Sequence, residues 1–206
     1  FADDLNVTSA FPAHTSNALV MQDLEEAQNR AHHWGRLNQV AFDPGKECFH
    51  IIHPREPIEM FKLLGTLIDT TLTLRPLIDH LLSKLRPKVR ALAKLKDMYS
   101  RRDLLNQFKC HIWSHLEYHN GALICACKSE RDRLDGMQRG FLYSIDLDEV
   151  TAFVENNFAP LCLRRSIGIL GFLHKRVLCM CHPRLLSELP LAPPGAIWHD
   201  RAINGN

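Results

Sequence analysis

The chain has 206 residues and a mass of 23.6 kDa, enough for one generous domain or two small ones. At 46% hydrophobic and 23% charged it has the balance of a folded globular chain, which excludes intrinsic disorder, collagen-like repetition and low complexity. The net charge of +2 hides a local asymmetry: between Lys84 and Lys109 the residues Lys84, Arg86, Lys88, Arg90, Lys94, Lys96, Arg101, Arg102 and Lys109 are offset only by Asp97 and Asp103, a stretch suited to face a polyanion.

The longest apolar runs, 122–127 and 167–173, fall far short of the roughly 20 residues a bilayer-crossing helix needs, so no membrane contact is expected. The chain opens Phe1-Ala2-Asp3-Asp4 without a Met, a basic segment or an apolar leader. We therefore expect a fragment of an intracellular protein. Seven cysteines, an odd number, fit a reducing compartment and predict unpaired, mostly buried thiols.

In chain order, residues 1–8 read as the turn and second strand of a hairpin. Ser16 or Asn17 caps a helix whose Val20, Leu24, Ala27, Ala31 and Trp34 form one apolar stripe, with Gly35 as its stop. Two short strands, 37–42 and 48–52, are predicted to join at Asp43-Pro44-Gly45-Lys46, where Pro presets the second turn position. A second strand pair, 61–64 and 67–69, turns at Gly65. From Leu74 onward the pattern is almost entirely helical. Leu77, Ile78, Leu81, Leu85, Val89, Leu92 and Leu95 make a stripe interrupted by Pro87, which either kinks or divides the helix, and the basic cluster occupies the opposite face. Further helices are predicted over 102–125, 129–145, 149–156 and 160–181, followed by an irregular tail beyond Pro190. The fold class is α+β.

Chemistry concentrates at the start. Adjacent carboxylates on a strand point to opposite faces, so Asp3 and Asp4 can serve one site only at a turn or twisted strand end. Such a pair suits Mg²⁺, or Mn²⁺ in its place, in the two-metal chemistry of phosphoryl transfer. A solvated turn has the same composition. Cys125, Cys127, Cys179, Cys181 and His182 imitate a zinc site, but one-residue spacing inside helical patterns separates the thiols. The twelve histidines show no metal-ligand spacing and read as scattered surface residues.

The order of these features carries a resemblance. Phe1-Ala2-Asp3-Asp4, a helix, Trp34 to Asn38 leading into Asp43-Pro44-Gly45-Lys46, and then Phe61-Lys62-Leu63-Leu64-Gly65 resemble the second half of the palm of a reverse transcriptase of the non-LTR retrotransposon type. Leu116-Glu117-Tyr118 with Gly121, the stretch from Leu134 to Arg139 with Asp135 and Gln138, and Ala159-Pro160-Leu161-Cys162-Leu163-Arg164-Arg165 are similar to the thumb and following region of that family. The resemblance implies a nucleotidyltransferase, an RNA-directed DNA polymerase working with Mg²⁺ on an RNA template and a DNA primer. It places catalytic, metal-holding roles on Asp3 and Asp4, with Phe1 standing where Tyr is usual, and a general-acid role for pyrophosphate release on Lys46. It assigns primer holding to Phe61, Leu64 and Gly65. A basic thumb helix bearing Lys84, Lys88, Arg90 and Lys94 would lie along the phosphates.

On this basis 1–73 is a partial palm, 74–127 the thumb, 128–189 a C-terminal helical region and 190–206 the tail. The family's third carboxylate and fingers match nothing in the 206 residues. The expected partner is therefore also the N-terminal part of the same polymerase, and the chain alone is expected not to polymerise. A nucleic-acid-binding helical module without chemistry, or a protein-interaction scaffold, are the alternatives.

Overall fold

The structure, a computed structural model, describes residues 5–53 and 58–183. It is mostly helical with one small antiparallel sheet, an α+β composition. The chain divides into two compact units, Phe1–Asp79 and His80–Asn206.

In the first unit, α1 (Asn17–Leu37) starts where Ser16 Oγ accepts the Leu19 N–H, satisfying a donor that the helix cannot bond internally. The expected stripe is thinly covered: Ala27 is buried, Val20, Leu24 and Ala31 are half-buried, and Trp34 remains 55% exposed. Gly35 does not end the helix, which continues to Leu37. It is buried because the returning chain crosses it, with the Val40 N–H donating to its carbonyl at 2.9 Å. A Cβ there would stand 2.7 Å from the Val40 oxygen.

The strands expected over 37–42 and 48–52 are absent, and residues 5–8 form no strand either. The turn between the first pair does form. Pro44–Lys46 is a single 3₁₀ turn in which the Asp43 carboxylate accepts the Gly45 N–H at 3.0 Å. Its arms bond through side chains instead of a ladder. Glu47 accepts from Gln28 and pairs with His32 on α1, while the His50 ring stacks on Phe61 at 4.4 Å.

The second strand pair forms as expected: β1 (Met60–Leu63) pairs with β2 (Thr66–Asp69), Leu63 opposite Thr66. Leu64 and Gly65 are the whole turn, both at positive φ (47° and 78°), the combination a two-residue hairpin requires. β2 ends on Asp69, 1% exposed, whose carboxylate accepts four hydrogen bonds, from the Thr71 hydroxyl, the Thr73 hydroxyl and N–H, and the Leu74 N–H. Burial alone would raise this carboxyl's pKa. The four donors outweigh it and hold the group below its ordinary value. This knot turns the chain from sheet to helix, with Leu72 and Leu74 also at positive φ.

Helix α2 (Arg75–Ala93) runs through Pro87 without dividing. A proline inside a helix forfeits one hydrogen bond and costs about 3 kcal/mol. Burial of Leu77, Ile78, Leu81, Leu82, Leu85 and Val89, each contributing about 1.5–3 kcal/mol, outweighs that loss.

In the second unit the long helix expected over 102–125 is broken into α3 (Arg101–Phe108), a π-helical turn (Lys109–Trp113), α4 (Ser114–Tyr118) and α5 (Asn120–Leu123). The widened turn coincides with the aromatic core. Phe108 packs on Phe141 and Phe158, and Trp113 stacks on Phe158 at 4.7 Å. α6 (Lys128–Ser144), α7 (Glu149–Asn156) and α8 (Leu161–Val177) follow, the last stopping four residues short of its expected end at Cys181.

Residues singled out in the helical half prove to be packing partners. Gln138 accepts from the Trp113 indole at 3.0 Å and donates to the Ala159 carbonyl at 3.1 Å. Arg165 donates to Asp135 at 2.7 Å, both nearly buried. Arg164 lies over the Trp113 ring at 3.7 Å and donates to Glu117. The thiols are unpaired, but the expectation that most are buried fails: six are exposed and Cys181 is half-buried, because they fall on the solvent sides of helices and loops.

Candidate nucleic-acid interface

The expected catalytic pair Asp3 and Asp4, with Phe1, lies outside the described residues. Among the described residues no group of three or more His, Cys, Asp or Glu side chains is arranged to hold a metal ion.

Lys46 ends the 3₁₀ turn with its ammonium exposed, 3.7 Å from the Asp43 carboxylate. The arm that carries it is anchored twice. Hydrogen bonds from His32 and then Gln28 lower the Glu47 pKa, so this tie to α1 persists through the neutral range. His50 fastens the other end to Phe61 through the ring stack and stands 3.6 Å from Glu59. The turn with Lys46 and the Phe61–Gly65 hairpin are therefore parts of one tied assembly. Within the hairpin, Phe61 is half-buried against His50, whereas Leu64 is 63% exposed at the tip.

The basic residues of α2 are all exposed, and they do not form a single face. At about 100° per residue, Lys84 and Lys88 border one edge of the buried stripe, while Arg86 and Arg90 run from its other edge across the solvent side, followed by Lys94 in the turn just past the helix. Among the described residues neither Lys84 nor Lys88, Arg90 or Lys94 has a carboxylate partner. Other cations of this unit do: Lys96 pairs with Asp146 at 3.2 Å, Arg133 with Glu130, Arg164 with Glu117 and Arg165 with Asp135.

The Lys84–Lys88 edge holds a feature that the sequence reading passed over. Lys88 Nζ lies 3.3 Å from His115 Nε2. An ammonium can only donate, so the ring accepts and carries its own proton on Nδ1. Burial, then Lys84, Lys88 and His111, depress the His115 pKa; burial, then His115, His80 and Lys84, depress that of His119. Thus His80, Lys84 and Lys88 at four-residue steps meet His111, His115 and His119 at the same step. The signal was in the spacing. Only the antiparallel approach of two helical segments turns it into one cluster.

Comparison of the chain with protein-family models, with curated proteins and with solved structures finds no match.

Proposed function

We propose that this chain is a nucleic-acid-binding part of an RNA-directed DNA polymerase of the non-LTR reverse-transcriptase type, comprising part of a palm and a basic thumb. In this reading the Phe61–Gly65 hairpin holds the primer end. Lys84, Lys88, Arg90 and Lys94 contact phosphates of the template–primer duplex, and Asp3 and Asp4 hold Mg²⁺ in the assembled enzyme. The observation that carries the reading is the set of exposed cations Lys84, Lys88, Arg90 and Lys94, which have no carboxylate partner among the described residues, on and just past a helix that follows the hairpin in the order the resemblance implies. A helix that buries one stripe and leaves unneutralised cations on both sides is built to accept anions.

The test is fluorescence anisotropy of a labelled RNA–DNA hybrid titrated with the protein across a salt series. We expect a linear fall of log affinity with log salt, and a slope that weakens by about 0.9 for each phosphate contact removed. Simultaneous Lys84→Glu, Lys88→Glu, Arg90→Glu and Lys94→Glu abolishes binding. Primer extension by the 206-residue chain alone gives no product, since its sequence holds neither the third carboxylate nor the fingers. Affinity for the hybrid that is untouched by the four reversals refutes the assignment.

A second reading has its own support. On α8 the residues Leu163, Ile167, Leu170 and Val177 share one face and are all exposed, as a helix that binds another protein would leave them. Absence of hybrid binding at low salt, together with self-association, favours that scaffold function.

A further inference from the structure

Resting on the reading of α2 as a nucleic-acid-binding helix, we infer that His80, Lys84 and Lys88 together with His111, His115 and His119 form one proton-coupled site for the phosphates of a bound RNA–DNA hybrid. The geometry has three parts. First, the six residues belong to two helical segments within the second unit, and Lys88 touches His115 directly at 3.3 Å. Second, the groups whose charge acts on His115 are Lys84, Lys88 and His111, all basic. Third, the nearest carboxylate on that segment, Glu117, is engaged by Arg164, which itself lies over Trp113. Two lysines and four imidazoles are thus gathered with no carboxylate partner for the lysines among the described residues, an arrangement whose mutual repulsion an anion would relieve.

The direction of the proton coupling follows from the same contacts. In the free protein, burial and the neighbouring cations keep His115 and His119 below the ordinary imidazole value, which favours the neutral rings. A phosphate between the rows reverses the local field and favours imidazolium. The rings then donate from both nitrogens, and Lys88 turns from His115 to the phosphate. Binding takes up protons, so affinity rises as pH falls through the window between the bound and free pKa values. The mechanism needs no metal and no covalent step.

Hybrid affinity measured by anisotropy at constant ionic strength from about pH 8 to about pH 5.5 tests this. For the wild-type chain we expect affinity to rise by up to about tenfold per pH unit for each imidazole that takes up a proton. The double variant His115→Gln, His119→Gln should lose most of the rise with falling pH. The control His14→Gln, His33→Gln, changing two exposed histidines of the other unit, should keep it. A parallel NMR titration of the wild-type imidazole resonances, with and without hybrid, should show the His115 pKa raised on binding, and this readout does not depend on any variant folding. A pH response that survives in the double variant, or a His115 pKa unmoved by hybrid, overturns the site while leaving hybrid binding intact. No hybrid binding at any pH at about 20 mM salt overturns the nucleic-acid reading itself, and this inference with it.

Discussion

Leu64 occupies the first of two turn positions that both demand positive φ, at 47°, and its side chain is 63% exposed. An L-residue with a Cβ pays about 1–2 kcal/mol for this region, whereas Asn tolerates it and Asn-Gly is the preferred pair for such a turn. Replacing Leu64 by Asn should therefore stabilise the hairpin by about 1 kcal/mol, since the exposed leucyl side chain contributes little burial to lose. The effect is read at the hairpin itself. The Thr70 N–H, which donates to the Glu59 carbonyl at 3.0 Å, reports hairpin opening by hydrogen exchange. One kcal/mol corresponds to exchange slowed about fivefold. Unchanged or faster exchange in Leu64→Asn would refute the claim that the turn is strained by its own residue. The same variant probes function: if Leu64 holds a primer end, hybrid affinity falls while the hairpin becomes more stable. A stabilised hairpin with undiminished affinity removes Leu64 from the interface and leaves its strain without a purpose.

Two further outcomes follow from the site geometry. Asp69→Ala strands the buried Leu74 N–H together with the Thr71 and Thr73 donors, and should cost on the order of 3 kcal/mol in urea unfolding followed by circular dichroism. Because the folded carboxyl is held below its ordinary value, its contribution is complete above about pH 4 and is lost as pH falls through the folded pKa; the wild type should weaken there and the variant should not. Cys127 lies at the start of α6, 3.1 Å from the Ser129 hydroxyl, whose hydrogen bond, followed by that of the Glu130 backbone, lowers the thiol's pKa. It should be the fastest of the cysteines to alkylate at neutral pH, as mass spectrometry of partly labelled protein would show, and Ser129→Ala should slow it.

What could be read from the sequence was what depends on neighbours along the chain. Ser16 before the Val20–Ala31 stripe marks the start of α1. The helix Glu149–Asn156 has the bounds expected of it, and the structure adds Asp148 as its cap and Asn157 closing it in the left-handed conformation. Gly65 between two alternating runs fixes the β1–β2 hairpin to within a residue. The failure at 37–52 is instructive because its turn signal was sound: Asp43, Pro44 and Gly45 do what the pattern requires. A ladder, however, is a contest between partners. Phe42 and Glu47 find His32, and His50 finds Phe61, so the flanking residues are spent on side-chain ties that no local pattern encodes. Gly35 shows the same limit. A glycine near a helix end reads as a stop, but here it is the contact point for a chain returning five residues later.

The candidate site was legible to a different degree at each level. That α2 is basic follows from counting, and that its cations split into two flanks follows from helical geometry. That one flank is completed by histidines required the tertiary pairing. Charge economy distinguishes the two kinds of cation in the second unit. Where a cation holds the structure together it is committed: Arg165 to Asp135, Lys96 to Asp146, Lys109 to the Asn156 carbonyl, and Arg164 to both Glu117 and Trp113. Lys84 and Lys88 are left beside imidazoles, which can lend no negative charge at any pH and can add a positive one. A surface that gains positive charge as its imidazoles take up protons is suited to an anionic partner. It also ties the strength of that partnership to pH, a dependence the committed cations, with acids already beside them, would not produce.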